Sequence, residues 1–298
     1  MVTKQVVLVT GASTGFGRLI AEALAKHGHT VFATMRDLAG RNASNASEIR
    51  EQAKRESLPL QVLELDVTDE ASAERAVRDC VHQAGRIDAV INNAGYVVAG
   101  LAECVTLEQA RRLMDTNFFG CVIVNRAVLP YMRKQSSGLL LHVSSGAGRV
   151  AVPGFALYCA SKFALEALAE TYHYELAGQG IESSIVQPGP YKTAVFGNTV
   201  QAADTSRSVT YGAASQFTSK LFSALDASAG NPQDLADVVV SIVETPAGYR
   251  RLRYRVSPTD MGVDAINSVS QEVQTRFLQA LGLGADTAFV QRSAAGSD

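Results

Sequence analysis

The start of the chain limits the possible folds more than any other stretch. Residues 5–10 (QVVLVT) form a short apolar, β-branched run suited to a strand buried on both faces. TGASTGFG, residues 10–17, follows at once, and a helical pattern over 16–27 then places Ile20, Ala23 and Leu24 on one side. Strand, glycine-rich turn and helix in that order is the context of a phosphate-binding loop. The glycines let the backbone approach a pyrophosphate, and the helix N-terminus aims free N–H groups at it. The spacing is G-x-x-x-G-x-G, which is neither G-x-G-x-x-G nor a Walker loop. A plain βα turn would need fewer glycines, so Gly11, Ser13, Thr14, Gly15, Phe16 and Gly17 are read as a dinucleotide cradle.

The same alternation continues down the chain. Strands are predicted over 30–34, 60–65, 87–92, 138–143, 183–187 and 252–256, separated by helical patterns. The fold class is therefore α/β: a single doubly wound Rossmann-type domain over residues 1–298, with a central parallel sheet of about seven strands and helices on both faces. In such a sheet ligands bind beyond the carboxyl ends of the strands, and the residues there become candidates. Past the second strand, Arg36 precedes Asp37. An arginine there accommodates the 2′-phosphate of NADP, whereas an acid on the ribose hydroxyls selects NAD. With Ser13 also in reach, NADP(H) is favoured, Asp37 being the competing case. Asp66, with Val67 beside it, ends the third strand as either an adenine acceptor or a turn aspartate. Thr68 is the expected cap of a helix to residue 84. Asn42-Ala43-Ser44 and Asn45-Ala46-Ser47 match a glycosylation triplet and are read as chance. Asn93, Ala94 and Gly95 follow the fourth strand, where asparagine and glycine also satisfy a turn with no ligand. Thr106-Leu107-Glu108-Gln109 is a capping box opening one long helix to about residue 134, with Asn117 kinking it through its own amide.

The fifth strand delivers Ser144 and Ser145, and Tyr158 and Lys162 stand four residues apart on the next helix, on one face. A phenol titrates near 10, and an adjacent ammonium favours the phenolate and pulls that value down. The pair is thus a way to build a general acid/base, although the spacing alone arises by chance in many helices. Its companions are decisive. Thr10-Gly11-x-x-x-Gly15-x-Gly17, Asn92-Asn93-Ala94-Gly95, Asn117, Ser145 and Tyr158-x-x-x-Lys162, in that order over about residues 4–195, resemble the classical short-chain dehydrogenase/reductase family. Of the two serines the resemblance points to Ser145, which lies 13 residues before Tyr158, the separation usual in that family.

The resemblance implies hydride transfer between a nicotinamide and a carbonyl or alcohol carbon. Tyr158 is then the acid/base, Lys162 its modulator and the holder of the nicotinamide ribose, Ser145 a donor to the substrate oxygen, and Asn117 the anchor of a water chain to Lys162. Pro188, Gly189 and Thr193 look like the family's nicotinamide-contacting loop. The details are most similar to hydroxysteroid and retinol dehydrogenase-like members, which implies an apolar small-molecule substrate. Residues 190–230 are placed as a substrate lid, 257–298 as a C-terminal extension, and a homodimer or homotetramer is expected by analogy. A catalytically silent NAD(P)-binding sensor or scaffold is the second reading, disfavoured because every catalytic position is filled. A sugar epimerase with the same pair is disfavoured by the glycine spacing.

Composition excludes other classes. A net charge of −2 with 19% charged residues gives no nucleic-acid footprint. No apolar run approaches the ~18 residues of a membrane span, and no targeting segment precedes the first strand. Four scattered cysteines and five histidines show no metal spacing and fit reduced thiols in a cytoplasmic protein.

Overall fold

The structure is a computed structural model and describes residues 3–191 and 199–284. The strands are β1 Val6–Val9, β2 Thr30–Met35, β3 Leu60–Glu64, β4 Ala89–Asn92, β5 Val98–Ala99, β6 Gly138–Val143, β7 Ile181–Pro188, β8 Val200–Gln201 and β9 Arg253–Val256. The helices are α1 Gly15–Lys26, α2 Ala43–Arg55, α3 Glu70–Ala84, α4 Leu107–Met114, α5 Gly120–Gln135, α6 Ala156–Glu175, α7 Phe217–Ala227, α8 Gln233–Glu244 and α9 Val263–Ala280.

Seven strands form one parallel sheet in the order β3-β2-β1-β4-β6-β7-β9. Each central strand is buried on both faces and sends alternate side chains to two cores. Val7 and Val9 pack with Ile20, Leu24 and Val239 under α1 and α8, while Val6 and Leu8 pack with Val77, Val124 and Val128 under α3 and α5. The order reverses beside β1, between β2 on one side and β4 on the other. That switch point opens a crevice at the carboxyl edge, where the glycine turn lies.

Local details correct two expectations. The cap of α3 is Asp69, not Thr68: Asp69 accepts from the backbone N–H groups of Ala71 and Ser72. Thr68 is unavailable because both its N–H and its hydroxyl donate to Asp66 Oδ1, at 3.0 and 2.8 Å. The helix predicted over 106–134 starts with the capping box as expected but is divided. A wide π turn over Asp115–Phe119 separates α4 from α5 and pushes Asn117 inward. Among the described residues of the expected lid, Val200–Gln201 pairs in parallel with Val98–Ala99, and α7 packs over Phe155 and Tyr158. Among the described residues no helix is long and apolar enough to cross a membrane, no metal-ligand cluster occurs, and all four cysteines are buried and free.

Candidate active site

Two glycines shape the turn after β1. Gly11 and Gly15 hold φ of 65° and 58°, a region where side chains are strained. A Cβ on Gly11 would lie 2.8 Å from Ala94 Cα, so the two loops meet backbone to backbone. They are clasped by Thr10 and Asn93. Thr10 Oγ1 accepts from the N–H groups of Asn93 and Ala94 at 2.9 and 3.0 Å, and the Asn93 amide donates to the carbonyls of Thr10 and Gly11. Asn93 is therefore spent on building the turn. Gly17 faces inward, where a Cβ would meet Gly11 O and Asn93 Nδ2 at 2.4 Å. At the start of α1, Thr14 makes no side-chain capping bond and the first turn carries no acid, which leaves positive N–H ends for an anion.

A cleft of about 950 Å³ runs from this turn across the sheet edge, at the upper end for small-molecule sites. It brings together Gly11, Ser13, Thr14, Gly15 and Phe16 of the cradle with Arg36, Asp66, Val67, Asn93, Ala94 and Gly95. Farther along it are Ser145, Tyr158, Lys162, Pro188 and Gly189. Gly17, Asp37 and Asn117 are not on its wall. Thr193 lies outside the described residues. Asp37, at a left-handed φ of 52°, turns its carboxylate back to accept from the Arg41 N–H at 2.8 Å. Gly40 makes room for it, since a Cβ there would lie 2.6 Å from the carboxylate. The acid expected on the ribose hydroxyls is thus engaged within its own turn, and Arg36 is left on the wall. Asp66 lines the cleft and uses one carboxylate oxygen, Oδ1, to accept from the Thr68 N–H and hydroxyl.

At the chemical end, strand β6 places Ser145 and the first turn of α6 places Tyr158. Burial pushes the phenol up to about 12, with a hydrogen bond from Ser145 pulling the other way. Lys162, 5% exposed, donates to Val143 O at 2.8 Å, its Nζ 6.0 Å from the Tyr158 ring centre. Burial brings this lysine down to about 8, opposed by Cys121 and Glu166. Against the expectation that Lys162 draws the phenol toward neutrality, burial is the largest influence on the phenol, and one of the three ammonium N–H donors is used on the Val143 carbonyl. Ser144 and Ser145 both line the cleft; among the described residues the buried Ser144 hydroxyl has no hydrogen-bond partner, whereas Ser145 Oγ accepts from Ala147 N at 3.1 Å.

Asn117 also differs from its reading. Its amide does not stabilise its own helix: Oδ1 accepts from Tyr96 N, and Nδ2 donates to Tyr96 O and to Ser161 Oγ, at 3.0, 3.0 and 3.1 Å. Ser161 in turn donates to Tyr158 O. Both amide hydrogens are committed, so the side chain pins the loop after β4 to α6.

Sequence reasoning missed several wall residues. Arg41, Asn42 and Asn45 flank Arg36, the two asparagines being those of the chance glycosylation triplets. Leu221 and Leu225 of α7 and Met261 of the C-terminal extension form an apolar end with Val152 and Phe155. Leu221, Leu225 and Met261 lie far from Tyr158 in sequence and reach the cleft only through the fold. The aromatic Phe222 was a pointer to that patch, its ring edge-on to Phe155 with centres 5.6 Å apart.

A Rossmann-type sheet with a glycine-turn cradle and a Ser-Tyr-Lys set at the far end of one cleft defines an oxidoreductase that binds a nicotinamide cofactor. Residues 5–204 match the family described as short chain dehydrogenase, and the chain belongs to that family. A 3-ketodihydrosphingosine reductase of Bacteroides thetaiotaomicron is 38% identical over 194 residues, 65% of this chain and 66% of that protein. The 17-beta-hydroxysteroid dehydrogenase type 1 of Homo sapiens is 32% identical over 253 residues, covering 82% of this chain and 75% of the relative. The crystal structure of a short-chain dehydrogenase from Streptomyces avermitilis superposes with a TM-score of 0.74 at 30% identity, covering 95% of this chain and 98% of that one.

Proposed function

We propose that this chain is an NADP(H)-dependent carbonyl reductase or alcohol dehydrogenase acting on an apolar ketone, secondary alcohol or aldehyde. The observation that carries the reading is the convergence of Ser145, Tyr158 and Lys162 on one cleft with the Gly11–Gly15 cradle. The cradle fits a dinucleotide: glycines that no side chain could replace, an uncapped helix N-terminus and a cleft long enough to reach β7. Bound there, the nicotinamide supplies or accepts the hydride. Ser145 orients the carbonyl oxygen and donates to it as negative charge develops. Tyr158 gives its proton to that oxygen in the reducing direction and takes it back in the oxidising one. Lys162 keeps a positive charge beside the cofactor position and ties α6 to β6 through Val143 O.

The engaged Asp37 and the free Arg36 support NADP(H) over NAD(H). Leu221, Leu225 and Met261 support an apolar substrate, with the described part of 190–230 as its lid. Pairing of copies through α5 and α6 belongs to the same reading, with Phe119 in the π turn just before α5 and Phe163 on α6 being 49% and 43% exposed. The test is reduction of a panel of apolar ketones and aldehydes with NADPH and NADH, beside Tyr158→Phe. Expected are NADPH preference and, in the variant, retained NADPH binding with turnover down ~10²–10⁴-fold. Near-normal turnover in Tyr158→Phe removes the acid, and equal use of NADH removes the Arg36 argument.

A further inference from the structure

Helix α9 lies beyond the residues that match the family, yet it is bonded into the back of the site. Asn267, one turn into α9, donates from Nδ2 to Gln187 Oε1 at 2.7 Å. Gln187 is fully buried near the end of β7, and its Nε2 donates to Glu166 Oε1 at 2.9 Å. Glu166, 2% exposed, is four residues past Lys162 and so one turn below it on α6. Its other oxygen accepts from Arg253 Nε at 2.9 Å, and that guanidinium also donates to Glu170. Gln187 directly precedes Pro188 and Gly189 on the cleft wall. One chain of side chains, half-buried at Asn267 and buried at Gln187 and Glu166, thus joins the C-terminal helix, the end of β7 and the helix carrying Tyr158 and Lys162.

We propose that Asn267 is a positioning residue: through Gln187 and Glu166 it fixes the height of α6 against the Pro188–Gly189 corner. The proposal rests on the reading that Tyr158 and Lys162 carry the chemistry. The physical reason is the burial of the middle link. A glutamine in the core must satisfy both ends of its amide, and Asn267 supplies the donor to its oxygen. Without that donor the amide has cause to turn or admit water, which releases Glu166 to Arg253 alone. The extension also crowds the corner and lies close to the serine loop. A Cβ on Gly189 would lie 2.0 Å from Ser257 Oγ, and one on Gly146 would lie 3.7 Å from Val263 and 3.8 Å from Met261. The reacting groups are therefore held from behind by an element that contributes no acid or base, and displacements near 1 Å cost ~10²-fold in rate.

The test uses the full chain with Asn267→Leu, Gln187→Leu and the double variant, measuring kcat, carbonyl KM, NADPH Kd by nucleotide fluorescence, and thermal midpoint. Expected for Asn267→Leu are kcat lower by ~10-fold or more and NADPH Kd raised several-fold, with carbonyl KM within ~3-fold. The double variant is expected to be no worse than Gln187→Leu alone, because the two act as one chain. Asn267→Asp, which keeps the shape but removes the N–H donor, is expected to match Asn267→Leu. Asn267→Ser replaces Asn267→Leu if the leucine variant does not fold. A lowered midpoint with unchanged kcat and NADPH Kd, or effects that multiply in the double variant, overturns the proposal. If the wild type reduces no carbonyl, the functional reading fails, and the NADPH Kd comparison still decides the positioning role.

Discussion

Replacing Lys162 by methionine is expected to disable the site and stabilise the fold at neutral pH. The lysine is 5% exposed, and burial lowers it from 10.5 to about 8. That drop corresponds to roughly 3 kcal/mol of stability withheld while the buried group is charged. The direction follows from proton counting. Between about 8 and 10.5 the unfolded chain holds a proton that the folded chain has released, so wild-type stability rises with pH through that window. Below about 8 the penalty is present in full. Methionine has a similar length and no charge, and its cost is the bond to Val143 O, about 1 kcal/mol. Lys162→Met is then more stable than wild type by about 2 kcal/mol at pH 6.5, and the advantage falls by about 2 kcal/mol by pH 9.5, both figures resting on the same conversion. The assay is urea unfolding followed by circular dichroism across that range, each pair compared at equal m. A stability difference that stays flat from pH 6.5 to 9.5 refutes the account of Lys162 as a charge held in the core at a cost.

Two further substitutions separate chemistry from scaffold. Ser145→Ala is expected to lower kcat by ~10²–10³-fold, the effect of removing one donor to a developing oxyanion, with NADPH Kd unchanged; a loss under ~5-fold would remove Ser145 from that role. Gly11→Ala is expected to abolish NADPH binding and lower the thermal midpoint, because φ is 65° and the new methyl meets the Ala94 backbone at 2.8 Å. Gly178→Ala, where nothing lies within 4 Å of the new Cβ, is the control expected to change neither; NADPH binding retained in Gly11→Ala would contradict the close approach of the two loops.

Much of this protein was legible in the residue order because the relevant signals are local. A β-branched run, a glycine turn and a 3.6-residue pattern lie within one short stretch, and repeating them leaves a parallel sheet as the way to bury every strand. Tyr158 and Lys162 share a helix face by spacing alone, and Thr106 and Gln109 cap α4 for the same reason. What the tertiary structure decided is where local and distant partners compete. Asp37 reads as a ribose acid until the left-handed turn at φ 52° folds it onto the Arg41 N–H. Asn117 reads as a helix kink until the π turn hands its amide to Tyr96 and Ser161. The proton affinities of Tyr158 and Lys162 depend on how much of the protein closes around them, and desolvation reverses the direction that their pairing alone implies. Asn267 lies 80 residues from Gln187 in sequence, and no periodicity joins them. The sequence by itself determined the sheet, the glycine turn and the residues proposed as the reacting groups, since each depends on neighbours within a turn or two. Only the folded chain decided their burial, their bonding partners and the apolar end of the cleft, because those depend on segments that the β–α crossovers bring together from far apart.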